Sequence, residues 1–164
     1  MAVRWIFDAF DNSKLPATNA AEPLILVSSR RGVGAYDDTT AETLYFESTA
    51  PSGLTGTITS SLTAFMASAE SGSVVGQIQV EAFSEGDNSA SMVTACSFDT
   101  SNSALGGVPA SAGAWFTIAQ TLTNNDSMAA GDSVRFAVTR LTTHGSDTAT
   151  GDWYLRSFLV ADGS

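Results

Sequence analysis

Ser133-Val134-Arg135-Phe136-Ala137-Val138-Thr139-Arg140 alternates from end to end. Val134, Phe136, Val138 and Arg140 fall on one face, and Ser133, Arg135, Ala137 and Thr139 on the other. That is the period-two signature of a β-strand with one buried side. Ala130-Gly131-Asp132 ahead of it is a turn, and the polar run from His144 to Gly151 behind it reads as a loop. Arg140, and Arg156 on the last strand, sit on otherwise apolar faces, so each needs an acidic or backbone partner and a structural role.

The rhythm extends in both directions. Leu44, Phe46 and Ser48 oppose Thr43, Tyr45 and Glu47 until Pro51-Ser52-Gly53 ends the strand. Ile58, Ser60, Leu62, Ala64 and Met66 form one face of the next. After Gly72, the residues Val74, Gly76, Ile78, Val80 and Ala82 oppose Gln77, Gln79 and Glu81, and Glu85-Gly86-Asp87-Asn88 closes that strand. Phe116, Ile118, Gln120 and Leu122 oppose Trp115, Thr117, Ala119 and Thr121. The last strand, Trp153 to Val160, alternates less cleanly and is expected to be covered on both faces. Between residues 89 and 113 the sequence predicts one short strand over Met92-Val93-Thr94-Ala95 and a long surface loop from Ser97 to Gly113.

No segment carries a sustained apolar stripe of helical period. Turn-separated strands without a βαβ rhythm predict an all-β chain, two antiparallel sheets packed face to face. A jelly-roll sandwich and an immunoglobulin-like one both fit, and the lack of a Cys…Trp…Cys framework weakens the second. Residues 1–40 read differently, as an extended N-terminal arm attached to a jelly-roll domain over 41–164. Short apolar pieces (Trp5, Ile6, Phe7 and Phe10, then Leu24-Ile25-Leu26-Val27) alternate there with polar links. Such an arm adds a strand to a sheet, either its own or a neighbour's. Trp5, Ile6, Phe7, Phe10, Leu24 and Ile25 are its expected contact residues.

Composition narrows the function. The chain has 17 Asp and Glu against 7 Lys and Arg, a formal charge of −10, which argues against nucleic acid as a partner. No apolar run is long enough for a membrane span, no targeting segment is visible, and synthesis in a cytosol is the expectation. Cys96 is alone, so no disulfide forms within the chain, and with Ala95 and Phe98 nearby it is expected to be a small buried apolar residue.

Catalytic chemistry is scarce. His144, the single imidazole, lies in a loop with Ser146 and Asp147, too close in sequence for the nested geometry of a triad. Glu47 and Glu81 share the polar side of their strands and could in principle pair for glycoside hydrolysis, although solvation is the plainer role. Asp37-Asp38, Glu85-Gly86-Asp87-Asn88, Asn124-Asn125-Asp126 and Asp147 are conceivable calcium ligands, but Asp and Asn are also ordinary turn formers. Tyr36, Trp115 and Tyr154 could stack on sugars, with core packing or a subunit contact as the simpler role. The expectation is therefore no catalytic residue, no metal and no cofactor: a protein of interaction rather than an enzyme.

Three stretches carry a family likeness. They are Glu42-Thr43-Leu44-Tyr45-Phe46-Glu47 running to Pro51, Gly72 to Glu81 leading into Glu85-Gly86-Asp87, and Ala130 to Arg140 followed by Gly151-Asp152-Trp153-Tyr154-Leu155. Over roughly residues 42 to 162 this pattern resembles the jelly-roll structural proteins of tailed bacteriophages, most of all capsid decoration (cement) proteins. The resemblance implies a virion protein on the outer capsid surface, made in the host cytoplasm, that stabilises the shell as a homotrimer bound to the major capsid protein. The alternative is a carbohydrate-binding β-sandwich acting as a head-fibre or tail adhesion module. That reading requires an exposed aromatic platform, with or without calcium. A glycan-cleaving enzyme is a weaker third reading.

Overall fold

The computed structural model describes residues 4–87 and 96–163. Among these residues the secondary structure is all strand: β1 (Arg4–Asp8), β2 (Ser13–Lys14), β3 (Glu22–Leu26), β4 (Arg31–Tyr36), β5 (Thr43–Thr49), β6 (Thr57–Met66), β7 (Ser73–Phe83), β8 (Asn102–Gly107), β9 (Trp115–Thr121), β10 (Ser133–Arg140) and β11 (Trp153–Gly163). No helix among them is long and apolar enough to cross a membrane. One sheet runs β3-β4-β11-β6-β9, with β1 also on β11; the other runs β2-β5-β10-β7-β8. Every strand pair is antiparallel, and the two sheets form the expected sandwich.

The alternation read from the sequence decides what lies between the sheets. Val134, Phe136, Val138 and Arg140 are all buried, as are Ile58, Leu62, Ala64 and Met66 on β6. Phe136 meets Phe158 edge-to-face at 5.2 Å, and Phe7 stacks on Phe158 at 5.5 Å. Each such ring taken from water contributes on the order of 2 kcal/mol. Tyr36 stacks on Trp153 at 5.0 Å, and its hydroxyl donates to the Val138 carbonyl at 3.1 Å. Arg140 is fully buried, its guanidinium donating to Asp147 and to the carbonyls of Ala149 and Gly151. The partners that the strand pattern required therefore come from the loop that follows it.

The structure decides one point the sequence left open and departs from the sequence reading in two places. The expected arm, over its described residues 4–40, adds strands to its own sandwich: β1, β3 and β4 belong to one sheet and β2 to the other. The reason is alternation within β1, where Trp5 and Phe7 enter the core while Ile6 faces solvent. The expected loop from Ser97 to Gly113 holds β8, whose small residues let it lie close against β9. A Cβ on Gly106 would strike the Ile118 side chain. The strand expected over Met92-Val93-Thr94-Ala95 lies outside the described residues. Finally, β11 loses its rhythm because its register with β6 shifts between Leu155 and Ser157. Trp153 and Leu155 face inward before the bulge, and Phe158 and Val160 after it. A change of phase, rather than burial on both faces, explains the irregular pattern.

Candidate functional site

The residues of β6 that point away from the core are Thr57, Thr59, Ser61, Thr63 and Phe65, since their neighbours are the buried ones. On this outer face Phe65 stands opposite Tyr154 of β11 on one side and Trp115 of β9 on the other. Three aromatic side chains thus form a row across three strands. Phe65 and Tyr154 meet edge-to-face at 5.6 Å, whereas Trp115 is 73% exposed. Burial alone would not place a bare indole in water.

Next to this row lies a groove of about 910 Å³. Phe65, Ser157 and Ile6 line its middle, Trp115 and Gly113 one side, and Leu26, Ser29 and Arg31 the other. Its shape follows from the topology. β4 pairs with β11 only as far as Gly34–Leu155, after which β1 takes over the same edge from Asp8–Ser157 onward. The remainder of β4 and its partner β3 continue as a hairpin, with Leu26 and Arg31 paired at its last register position. The bulge turns Arg156 to the groove side of β11, where it forms an ion pair with Asp8 of β1. Burial pushes the Asp8 carboxyl upward, but the amide of Phe10, the Arg156 guanidinium and the amide of Asp11 outweigh it. They hold the group below its ordinary value.

The other sheet's outer face carries a charged row. Glu47, Arg135 and Glu81 lie in register across β5, β10 and β7. Arg135 reaches Glu47 at 2.6 Å and Glu81 at 3.6 Å, and the amide of Ser97 donates to Glu81. Phe98 packs on Tyr45 at 5.6 Å, and the Asp99 amide donates to the Val80 carbonyl, so residues 97–99 lie over this face. The two carboxylates share one guanidinium; they do not flank a cleft as hydrolysis demands. Cys96 is exposed rather than buried, with its Sγ 2.8 Å from Arg135.

The other candidate residues are placed as follows. His144 is an exposed loop residue whose Nδ1 accepts the Ser146 amide, and Asp147 is committed to Arg140, so no triad forms. Tyr36 is wholly buried and cannot meet a sugar. Asp87 accepts the Ser84 amide three residues back, the turn-forming work of such residues, whereas Asp126 accepts the amide of distant Ala82 at the end of β7. Asn88 lies outside the described residues. Asp37, Asp38 and Asp152 do converge, with carboxylate oxygens within 4.8 Å of one another, and are the residues that could share a cation. Amides of Thr39 and Thr40 hold Asp37, and the amide of Gly151 holds Asp38. Hydrogen bonds from Thr39 keep Asp37 low, whereas burial and then repulsion from Asp37 and Asp38 raise Asp152.

Of the six residues expected to contact a neighbour, Trp5 and Phe7 are core residues of this chain's own sandwich. The Trp5 indole donates to the Thr49 carbonyl at 3.2 Å. Phe10 is half-buried against Gly32, and Leu24 is half-buried. Ile6 and Ile25 are exposed, and Ile6 lines the groove.

Neither a protein-family profile nor a curated protein matches the sequence. Solved structures do resemble the fold. A CBM35 domain of Cellvibrio japonicus Abf62 superposes with a TM-score of 0.50 at 8% identity, over 99% of this chain and 95% of its own. The CBM22-2 xylan-binding domain of Paenibacillus barcinonensis Xyn10C gives 0.52 at 13% identity, over 97% and 99%. The protein has the β-sandwich fold of carbohydrate-binding modules. Of the expected likeness to phage structural proteins, these neighbours support the shared jelly-roll β-sandwich architecture.

Proposed function

We propose that this protein is a non-catalytic carbohydrate-binding domain that holds a glycan in the groove beside Trp115. The observation carrying the reading is the exposed indole at the end of the Tyr154–Phe65–Trp115 row, bordering an open groove on a rigid sheet. Sugar rings present apolar C–H faces that stack on aromatic rings, and a preformed sheet surface costs little ordering on binding. The lack of catalysis is supported by the groove's acid content. Among the described residues Asp8 is its single lining carboxylate and is tied to Arg156, whereas glycoside hydrolysis uses two. Xylan, which the CBM22-2 domain binds by name, is the first polymer to try. Electrophoresis through native gels containing soluble xylan, galactan or β-glucan tests the reading. Retardation by at least one polymer, lost in Trp115→Ala, is the expected result; unretarded migration in all of them rejects it.

A second proposal keeps the virion setting. Ile25 and Val27 on the β3–β4 hairpin are 52% and 90% exposed, and Leu15 is 57% exposed. Exposed apolar side chains of this kind suit a contact with a capsid protein or with other copies in a homotrimer. Co-sedimentation with bare expanded phage heads tests it, and Ile25→Asp with Val27→Asp should abolish any association. A head-fibre or tail adhesin would satisfy both proposals.

A further inference from the structure

We infer that the groove selects a sugar bearing a negative charge, a conclusion that rests on the glycan-binding reading and names its ligand class. The argument begins with where the positive charges are. The chain has 7 Lys and Arg against 17 Asp and Glu, yet the groove's lining reverses that balance, with Arg31 and Arg156 against Asp8. Arg135 and Arg140 are consumed by Glu47, Glu81 and Asp147, and Arg156 by Asp8. Arg31 is exposed and has no ion-pair partner among the described residues. It stands on the hairpin side of the groove, across from Trp115.

These two side chains divide the work of recognition. A pyranose ring stacked on the indole directs its substituents across the groove, and a guanidinium fork there matches the two oxygens of a carboxylate or a sulfate ester. Asn12 adds to the donor side. Its Oδ1 is occupied by the Asp8 amide at 2.9 Å, which leaves its amide hydrogens for a ligand acceptor. The acidity of the rest of the surface sets a limit. Beyond about 10 Å, ions screen it, but within that range it repels a densely charged chain. The fitting ligand is a mainly neutral glycan with an isolated anionic residue.

Calorimetry on the whole chain tests this with matched probes. They are a xylotetraose bearing one glucuronic acid, the same sugar with its carboxyl reduced to the alcohol, and a galactotetraose with and without one sulfate ester. We expect one charged probe to bind about tenfold more tightly than its neutral counterpart, the effect of one charge-assisted hydrogen-bonded contact. Added salt should shrink that preference, and Arg31→Gln should bring the charged probe down to the neutral one's affinity. The carboxylate and sulfate arms tell the two sources of charge apart. Equal binding of charged and neutral probes, or a preference that survives Arg31→Gln, overturns this inference and leaves glycan binding standing. Failure of every probe to bind also overturns this inference, while the fate of the glycan-binding reading is read from the polymer gels.

Discussion

Trp115 and Phe65 are register partners across β9 and β6, yet they are set apart by burial. Phe65 is braced by Tyr154 at 5.6 Å, whereas Trp115 is 73% exposed and meets mainly water. Removing Trp115 should therefore leave stability within about 0.5 kcal/mol while abolishing glycan retention. Removing Phe65 should lower both, with a stability cost of about 1 kcal/mol from the lost ring contact. Thermal unfolding alongside affinity electrophoresis of Trp115→Ala and Phe65→Ala checks the contrast.

Arg140 and Asp147 form a buried pair at 3.0 Å, and Asp147 also accepts the Val75 amide. Asp147→Asn leaves a guanidinium in the core without its counter-charge. The expected loss is about 3–5 kcal/mol, read from urea unfolding. A loss under about 1 kcal/mol would show that the Ala149 and Gly151 carbonyls satisfy Arg140 without the Asp147 charge.

Asp8 gives a pH signature. Its folded-state pKa lies below its ordinary 3.8, so its ion pair and amide contacts stabilise the fold above that value. The contribution is lost as pH falls through the folded-state pKa. Asp8→Asn should accordingly be less stable than the parent at neutral pH, with the difference closing in acid below about pH 4. Unfolding midpoints of the two proteins across that range provide the test.

Asp152 behaves with the opposite sign. Burial and the neighbouring Asp37 and Asp38 raise its pKa above 3.8, so ionising it costs stability as pH rises through the shifted value. Asp152→Asn should raise the melting temperature at pH 7 and make no difference near pH 3. A variant that melts lower at pH 7 would mean that the acidic cluster is held together by something stronger than its own repulsion.

Gly106 reports on β8. A side chain there would collide with Ile118 on β9 of the facing sheet, so Gly106→Val is expected to cost about 1–3 kcal/mol. Gly107, the next residue, has open space around it, and Gly107→Val should be far milder. The pair of unfolding curves separates close packing from a general dislike of β-branching.

The parts of the fold legible in the sequence were those where one side of a strand is buried and the other is not. β6 and β10 declared themselves because Leu62 or Phe136 recurs at every second place with polar neighbours. β8 escaped notice because its buried positions are filled by Asn102, Ala104 and Gly106, small or polar residues that resemble loop composition. β1 was read as an arm because five residues hold too few alternations to reveal a face. At the site, Trp115 and Tyr154 were visible as candidates, but Phe65 and Arg31 were not. Their meaning depends on strand order, on which β11 sits between β6 and β4, and no local spacing encodes that.

The partnership of β1 with β11 also has a mechanical side. Arg4 lies opposite Ala161 and Asp8 opposite Ser157, so the start of β1 and the close of β11 lie at the same end of the pair. Tension applied through those ends would load the hydrogen bonds one after another, as a zipper is opened, instead of shearing them together. The first strand to peel away is the one that carries Ile6 and Asp8 into the groove. Because the same strand holds Trp5 and Phe7 in the core, the groove wall and the sandwich would give way together.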